Sequence, residues 1–216
     1  MSIWCKIQDR LTYVRIIALG YLVVIITGTL FLLLPAATVQ GKQTDFLTAL
    51  FTATTSTCVT GLVVVDTGTH WTVFGQTVIL LMVQVGELGF MTMGMLLAML
   101  LKKKITLRAR GLLQESMNGM QVGGILHLVR LALVGTAIVE LVGAVLFSIR
   151  FIPKFGIGRG IYYSIFHSIS TFCNAGIDPF GAHYGEYTSL VPFRNDVFVN
   201  IVTMVLIMIG GIGFFV

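Results

Sequence analysis

The sequence predicts an all-α integral membrane protein in which one structural unit occurs twice along the chain. Three observations support this fold class. Hydrophobic residues make up 56% of the 216 residues and charged residues only 11%, whereas a soluble domain carries about 25% charged residues. Several apolar stretches are long enough to cross a bilayer as helices. Finally, the segments between these stretches contain the same short motif twice, in the same order.

Four apolar stretches approach or exceed the length of about 20 residues that a helix needs to cross the hydrocarbon core. The first ends at Pro35, the second and third contain one charge each, Glu87 and Glu140, and the fourth contains none. With 19 residues, the first is longer than the roughly 7–15-residue apolar region of a cleaved signal peptide, so we interpret it as a retained span. The predicted spans cover 16–34, 73–101, 131–149 and 197–216.

The segment between the first two predicted spans is apolar enough to enter a membrane and too short to cross it. Residues 45–53 predict a short helix, and residues 54–61 follow with a run rich in Ser and Thr that ends at Gly61. Ser and Thr at this density disfavour a helix, so we expect an extended backbone over 54–61. Irregular backbone at membrane depth occurs only where it is buried in protein or lines a watery cavity. The pattern therefore predicts a re-entrant loop.

An internal repeat places a second loop of the same kind in the second half of the chain. A shift of 115 positions superimposes the motif Ser/Thr-x-Cys-x-x-Gly of the two loops. A shift of 124 positions superimposes a glycine-rich stretch within the second span, 86–90, on a similar stretch of the fourth span, 210–214. Each unit is thus predicted to run span, loop helix, motif, span. The superimposed pairs are Phe51 with Phe166, Cys58 with Cys173, Gly61 with Gly176, Gly86 with Gly210 and Gly89 with Gly213.

The distribution of Lys and Arg predicts the orientation, because cytoplasmic loops carry an excess of these residues. Nine lie in the N-terminus and between the two units, and five lie in the longer loops on the opposite side. We therefore expect both re-entrant loops to enter from outside. The basic residues flank apolar spans, which indicates contact with the lipid bilayer and no nucleic acid. The predicted segments are a cytoplasmic N-terminus (1–15), a first unit (16–101), a cytoplasmic linker helix (102–130) and a second unit (131–216).

The two motifs, Cys-Val-Thr-Gly-Leu at 58–62 and Ser-Thr-Phe-Cys-Asn-Ala-Gly-Ile-Asp at 170–178, resemble those of the Ktr/Trk/HKT potassium transporters. The resemblance is strongest to the membrane subunit of bacterial Ktr systems, and it covers essentially the whole chain. It implies potassium-channel-like repeats of span, pore helix, selectivity filter and span, with four such units around one pore. Because two units are present here, we interpret the chain as an N-terminal half.

The resemblance also implies how the loops bind an ion. Backbone carbonyls of the two filter segments would replace the water around a dehydrated potassium ion, with sodium as a second candidate ion and no covalently bound cofactor. Glycine tolerates the backbone conformations that such a segment requires, although a tight turn requires the same residue. The predicted ion-binding residues are Cys58, Val59, Thr60, Gly61, Cys173, Asn174, Ala175 and Gly176.

Function and partners follow from the same resemblance. It implies potassium uptake across the bacterial cytoplasmic membrane, influenced by sodium, through a multi-pass protein with a cytoplasmic N-terminus that is not an enzyme. The family also implies a homodimer of membrane subunits and a cytosolic ring of nucleotide-binding regulatory subunits.

Several alternatives remain open. A charge within a span is costly and marks a candidate functional site, so Glu87 has either a pore or gating role or a hydrogen-bonded packing role, and the same choice applies to Glu140. The alternative function is a secondary ion-coupled transporter with broken helices, which also places irregular backbone at the membrane midplane. Its repeats are often inverted, whereas both units here begin and end inside. A membrane enzyme would need clustered His, Asp, Glu or Ser–His groups, and the sequence has no such cluster.

Overall fold

The computed structural model of the chain describes residues 13–39, 44–89 and 125–212. Within these ranges the chain is all-helical and contains no strand, apart from an isolated bridge between Thr38 and Trp71. Short 3-10 turns at Pro35–Ala37 and Val191–Phe193 join longer helices. The α-helices are α1 (Tyr13–Leu32), α2 (Phe46–Thr57), α3 (Thr67–His70), α4 (Val73–Leu88), α5 (Ile125–Phe155), α6 (Ile157–Phe172), α7 (Gly181–Tyr184) and α8 (Val197–Ile212).

The first unit consists of α1, α2 and α4, which pack against one another. Helix α1 gives way to a 3-10 turn that opens at Pro35, because proline cannot continue an α-helix. Asp45 caps α2 by accepting a hydrogen bond from the Thr48 N–H at 3.3 Å. Hydrogen bonding by Thr48 lowers the pKa of this carboxyl. Thr72 caps α4 through its side-chain oxygen, so each helix of the loop region begins at a polar cap.

Helix α4 is shorter than the sequence predicts. An uninterrupted span was expected over 73–101, but α4 ends at Leu88, where Gly89 adopts φ 75° and ψ 136°. A glycine with positive φ commonly ends a helix, because it has no Cβ to clash in that conformation. The expectation of one continuous helix is therefore wrong at Gly89. Residues 90–101, the N-terminus to residue 12 and the linker to residue 124 lie outside the described residues, as do residues 40–43 and 213–216.

The second unit consists of α5, α6 and α8. Helix α5 has 31 residues and extends beyond the predicted span 131–149 at both ends. Gly156, with φ 80°, separates it from α6. The two helices then pack closely, since a Cβ on Gly160 would overlap the backbone of Ile152. The buried core between α5, α6 and α8 is strongly aromatic and includes Phe147, Phe151, Phe155, Tyr163, Phe180 and Phe193.

The helices differ in whether they reach membrane-spanning length. By length and apolar composition, one helix in the described ranges, Arg130–Phe155, is sufficient to cross a membrane. The segments Ile17–Leu32, Val73–Leu88 and Val197–Ile212 are apolar but shorter. The long helix and the shorter ones all carry exposed large apolar side chains, such as Leu141 on Arg130–Phe155, which is 66% exposed, and Met208 on Val197–Ile212, which is 63% exposed. Contiguous exposed apolar surface of this kind is rare on soluble monomers and suits contact with lipid.

The two units are joined by hydrogen bonds between residues far apart in the sequence. Gln76 on α4 accepts a hydrogen bond from the Tyr162 hydroxyl on α6 at 2.8 Å. The Tyr187 N–H donates to the Asp66 carboxylate at 2.8 Å, and the Thr69 hydroxyl donates to Glu186 at 3.0 Å. The last two bonds tie the segment after the first motif to the segment after the second.

Candidate functional site

The Ser/Thr run before the first motif is helical, which corrects the extended backbone expected over its first four residues. Helix α2 continues to Thr57. The hydroxyls of Thr54, Ser56 and Thr57 each donate to the carbonyl four residues earlier, at 2.7, 2.6 and 2.8 Å. This back-bonding satisfies the hydroxyls inside the helix, so they do not compete with its backbone. Only 58–61 leave the helix.

The two motifs adopt nearly the same backbone conformation, which gives the sequence repeat a structural counterpart. In each loop the first residue caps the helix with negative φ, and the second and fourth residues have positive φ. Three successive N–H groups of each loop fold back onto carbonyls in the last turns of the preceding helix. The φ values are −87° at Cys58, 53° at Val59 and 74° at Gly61, against −71° at Cys173, 56° at Asn174 and 67° at Gly176.

A hydroxyl at the same position of each unit fixes the far end of each loop. In the first unit Thr55 Oγ1 accepts a hydrogen bond from the Leu62 N–H at 3.0 Å. In the second unit Ser170 Oγ donates to the Ile177 carbonyl at 2.5 Å. Both pairs are separated by seven positions, and Thr55 is related to Ser170 by the shift of 115. Each loop is therefore anchored at both ends by its own helix.

Glycines on α4 and α8 permit close approach to the loop helices. A Cβ on Gly86 would overlap the carbonyl of Thr57, and a Cβ on Gly210 would overlap the carbonyl of Phe172. Thr57 and Phe172 are the last residues of α2 and α6. Small residues allow helices in membranes to approach in this way. The glycine therefore has the same packing role in both units, at the position that the shift of 124 predicts.

The carbonyls of the two motifs have no hydrogen-bond donor among the described residues. Across residues 13–39, 44–89 and 125–212, no hydrogen bond is donated to the backbone oxygens of 58–61 or 173–176. Cys173 and Ala175 are buried, and more than nine in ten buried backbone carbonyls in proteins are paired. Two runs of consecutive carbonyls without a donor, at equivalent places in two units, are therefore unusual within the described ranges.

The two loops lie next to each other and face a common cavity. A Cβ on Gly61 would overlap the carbonyl oxygen of Ala175. Beside this contact is a cavity of about 460 Å³. Its lining combines residues from both motifs with residues from α1 and α4: Tyr21, Thr57, Cys58, Val59, Gly86, Glu87, Cys173 and Asn174. The structure thus brings Cys58, Val59, Cys173 and Asn174 to one cavity, whereas Thr60 and Gly176 are exposed outside its lining.

The two candidate acids occupy different environments. Glu87 lines the cavity and is exposed. In the described part of the chain its carboxylate makes no hydrogen bond, so no partner is seen there for a hydrogen-bonded packing role. Glu140 is partly buried on α5, and its carboxylate Oε1 accepts a hydrogen bond from Gln84 Nε2 at 2.9 Å. The same oxygen lies 3.9 Å from Cys173 Sγ. Gln84 was not singled out from the sequence, although a polar residue within an apolar span is a usable signal.

In the described ranges, His167 packs against aromatic rings, and no side-chain cluster for a metal ion is present. His167 is buried against the rings of Phe147, Phe151 and Phe180, in agreement with a packing residue. Among the residues with described placement, no group of three or more His, Cys, Asp or Glu side chains is arranged to hold a metal ion.

Known proteins similar to this chain are cation transporters. The chain is 43% identical over 205 residues to the Ktr system potassium uptake protein B of Bacillus subtilis, covering 95% of this chain and 44% of that protein. It is 39% identical over 211 residues to the potassium/sodium uptake protein NtpJ of Enterococcus hirae, covering 98% and 46%. It is 36% identical over 201 residues to the Ktr system potassium uptake protein B of Vibrio alginolyticus, covering 93% and 42%.

The chain spans less than half the length of these curated relatives. The family match nevertheless extends over nearly all of it: residues 11–216 match the TrkH family, described as cation transport protein. This match includes both motifs, the cavity between them and all of the described helices. The chain therefore belongs to the TrkH family of cation transport proteins.

Proposed function

We propose that this chain supplies two of four units of a pore that takes up potassium across a membrane, and that residues 58–61 and 173–176 are two quarters of its selectivity filter. The observation that carries the proposal is the pair of unpaired carbonyl runs at equivalent places in the two units. A dehydrated potassium ion needs oxygen ligands in place of its water, and rings of backbone carbonyls supply them in potassium channels.

The backbone conformation of the loops supports carbonyl coordination. Uniformly negative φ in a strand turns successive carbonyls to opposite sides. In both loops the sign of φ instead alternates over four residues, positive at the second and fourth, which brings successive carbonyls toward one side. Left-handed φ is costly at a non-glycine residue such as Val59, and such strain persists only where the surrounding structure imposes it. This combination suits a ligand-binding strand better than a simple turn.

The loop helices add a favourable field. Helices α2 and α6 end at Thr57 and Phe172, directly before the two loops. The C-terminus of a helix carries about half a negative elementary charge. Both helix ends therefore favour a cation at the loops and disfavour an anion. Glu87, on the cavity wall, adds a negative side chain beside the same route, and we assign it a role in the pore or its gating.

The remaining features of the proposal rest on the relatives and on the sequence. The names of two relatives refer to a Ktr system, which supports a partner subunit; we propose the cytosolic nucleotide-binding ring and the homodimer of membrane subunits. The name potassium/sodium uptake protein of a third relative supports an influence of sodium. The bacterial relatives support a location in a bacterial cytoplasmic membrane. The Lys and Arg asymmetry supports an N-terminus inside and units 16–101 and 131–216 inserted in parallel.

One observation favours the alternative of a secondary ion-coupled transporter. Helix α4 ends at Leu88, beside Gly89 and within the predicted span 73–101, and interrupted helices bind coupling ions in such transporters. This helix end lies one turn from the cavity, since Gly86 and Glu87 line it. In that alternative the ion would bind at the end of α4 and at Glu87, away from the carbonyls of the two motifs.

Growth rescue tests the proposed activity. The complete four-unit protein, expressed in a bacterium that lacks potassium uptake, is expected to restore growth at low potassium, and added sodium is expected to change the potassium requirement. The control is the same protein with 58–61 deleted, which removes one quarter of the filter and should abolish rescue while the protein remains in the membrane. Equal growth with the deleted variant would contradict a pore lined by these residues.

A further inference from the structure

A polar contact at the junction of the two units involves the first residue of the second motif. Glu140 Oε1 accepts a hydrogen bond from Gln84 Nε2 at 2.9 Å. The Cys173 thiol lies 3.7 Å from Gln84 Oε1 and 3.9 Å from Glu140 Oε1, within the range of a weak sulfur hydrogen bond. Cys173 itself is 0% exposed. The thiol of the second loop therefore meets a carboxylate from α5 and an amide from α4.

A second bond ties the same helix turn to the pore helix of the second unit. The Ser168 hydroxyl, on α6, donates to the backbone carbonyl of Glu140 at 2.7 Å. Glu140 is thus connected through its backbone to α6, through its side chain to α4 of the other unit, and through the thiol to the second loop. Displacing its carboxylate would change the position of Cys173 relative to the first unit.

The first unit lacks this arrangement, so the contact is not a general requirement of the repeat. Gly28 lies against Met82 in the first unit, and Gly143 lies against Leu206 in the second. The shift of 115 relates the two glycines and the shift of 124 relates Met82 to Leu206, so the repeat also includes α1 and α5. By these shifts Glu140 corresponds to Ile25. Gln84 likewise corresponds to Met208, and Cys173 to Cys58, whose thiol is exposed. The polar pair is therefore a feature of the junction between the units.

We infer that Glu140 is a positioning residue for ion selectivity: as a hydrogen-bond acceptor it holds Gln84 and the Cys173 thiol, and so sets the second filter loop against the first unit. The inference rests on the proposed function, because it needs 173–176 to bind the ion. Glu140 does not line the cavity and does not touch the ion. Its effect passes through Cys173, the first residue of the loop.

The acceptor role leads to a specific difference between two substitutions. In Glu140→Gln the side-chain oxygen can still accept from Gln84 Nε2 and from the thiol, so the loop should keep its position. Glu140→Ile inserts the residue of the equivalent position in the first unit, so it suits the helix and removes the acceptor. Gln84 Nε2 then loses its acceptor and the Cys173 thiol loses one of its two acceptors, which leaves a partly buried amide N–H unsatisfied.

The experiment measures the ratio of potassium to sodium uptake in the complete four-unit protein reconstituted in liposomes. We expect Glu140→Ile to lower the ratio about ten-fold, the scale of one lost hydrogen bond, and Glu140→Gln to stay within about two-fold of the parent. Ser148→Ala is the matched control on α5, since the Ser148 hydroxyl donates within its own helix, to the Val145 carbonyl, and contacts no other helix in the described ranges through a hydrogen bond. Gly176→Ser is included as a direct change in the proposed filter.

The outcomes separate the inference from the proposed function. An unchanged ratio in Glu140→Ile, with a changed ratio in Gly176→Ser, would overturn the positioning role and leave the filter intact. An unchanged ratio in both would overturn the filter and the inference together. Equal losses in Glu140→Gln and Glu140→Ile would overturn the acceptor role, because they would show that charge matters instead. If Glu140→Ile does not reach the membrane, Gln84→Met takes its place. This variant inserts the residue of the equivalent position in the second unit, and an unchanged ratio of potassium to sodium uptake would overturn the positioning role.

Discussion

Gly61 is the residue at which the two loops meet, and its environment is more restrictive than that of its counterpart. It has φ 74°, and a Cβ would overlap the Ala175 carbonyl oxygen. Gly176 has φ 67°, but a Cβ there would meet no atom within 4 Å. Gly61 therefore combines a backbone that favours glycine with a close approach to a carbonyl of the other proposed filter quarter.

We predict that Gly61→Ser lowers the potassium-to-sodium uptake ratio of the complete protein. Left-handed φ costs a non-glycine residue about 1–2 kcal/mol, and the added Cβ displaces the Ala175 carbonyl, so both quarters of the filter change. Gly158→Ser is the matched control, because Gly158 has ordinary φ and open space around it. A normal ratio in Gly61→Ser, at normal expression, would show that Gly61 is only a turn residue.

At the scale of residues, the sequence was sufficient to align the two motifs, but it did not reveal the side chains that hold them in place. The correspondence of Cys58 with Cys173 could be predicted because the two copies of the motif align with each other, and the φ angles of the two loops agree closely. The contact between Gln84 and Glu140 was not readable, since it joins residues 56 positions apart. No local pattern encodes which polar residues of two apolar helices will face each other.

The close contact between each loop helix and the following helix is the main packing feature at the scale of elements. Gly210 on α8 lies against the last carbonyl of α6, and Gly86 on α4 against the last carbonyl of α2. The neighbouring Gly211 is less constrained, since a Cβ there would meet only Asn174 Nδ2, at 3.9 Å. Adjacent glycines on one helix thus have very different tolerance for a side chain.

We predict that Gly210→Ala destabilises the purified protein, whereas Gly211→Ala has little effect. Overpacking a close contact costs about 1–3 kcal/mol, and here the obstructing atom is a backbone oxygen that cannot rotate away. Thermal unfolding in detergent, followed by intrinsic tryptophan fluorescence, to which the buried Trp71 contributes, measures both variants. Equal midpoints for Gly210→Ala and the parent would contradict the packing of α8 on the end of α6.

Helix existence was easier to predict than helix ends. Apolar length identified α1, α4, α5 and α8, but the end of α4 at Leu88 depends on the conformation of a single glycine, and the sequence contains several nearby. The helical state of Thr54–Thr57 was missed because Ser and Thr propensity argued against it. Hydroxyl bonds to the preceding turn outweigh that propensity.

At the scale of the whole molecule, the loops of the two units have similar backbone conformations, but their cysteines differ in solvent exposure. Cys58 is exposed while Cys173 is buried, because the second loop is covered by Gln84 and Glu140 and the first has no such cover among the described residues. The repeat was predictable from sequence, but the bonds that join the units, Asp66 to Tyr187 and Thr69 to Glu186, link positions 121 and 117 apart. Such pairs follow from the assembled fold and not from local pattern.

The location of the bound ion tests the central claim most directly. Crystals of the complete protein grown with thallium or rubidium in place of potassium would give anomalous density at each ion site. The filter assignment predicts density within coordination distance of the carbonyls of both 58–61 and 173–176, and loss of that density in Gly61→Ser. Density confined to Glu87 and the C-terminal end of α4, with none at the carbonyls, would contradict the filter and favour the ion-coupled transporter.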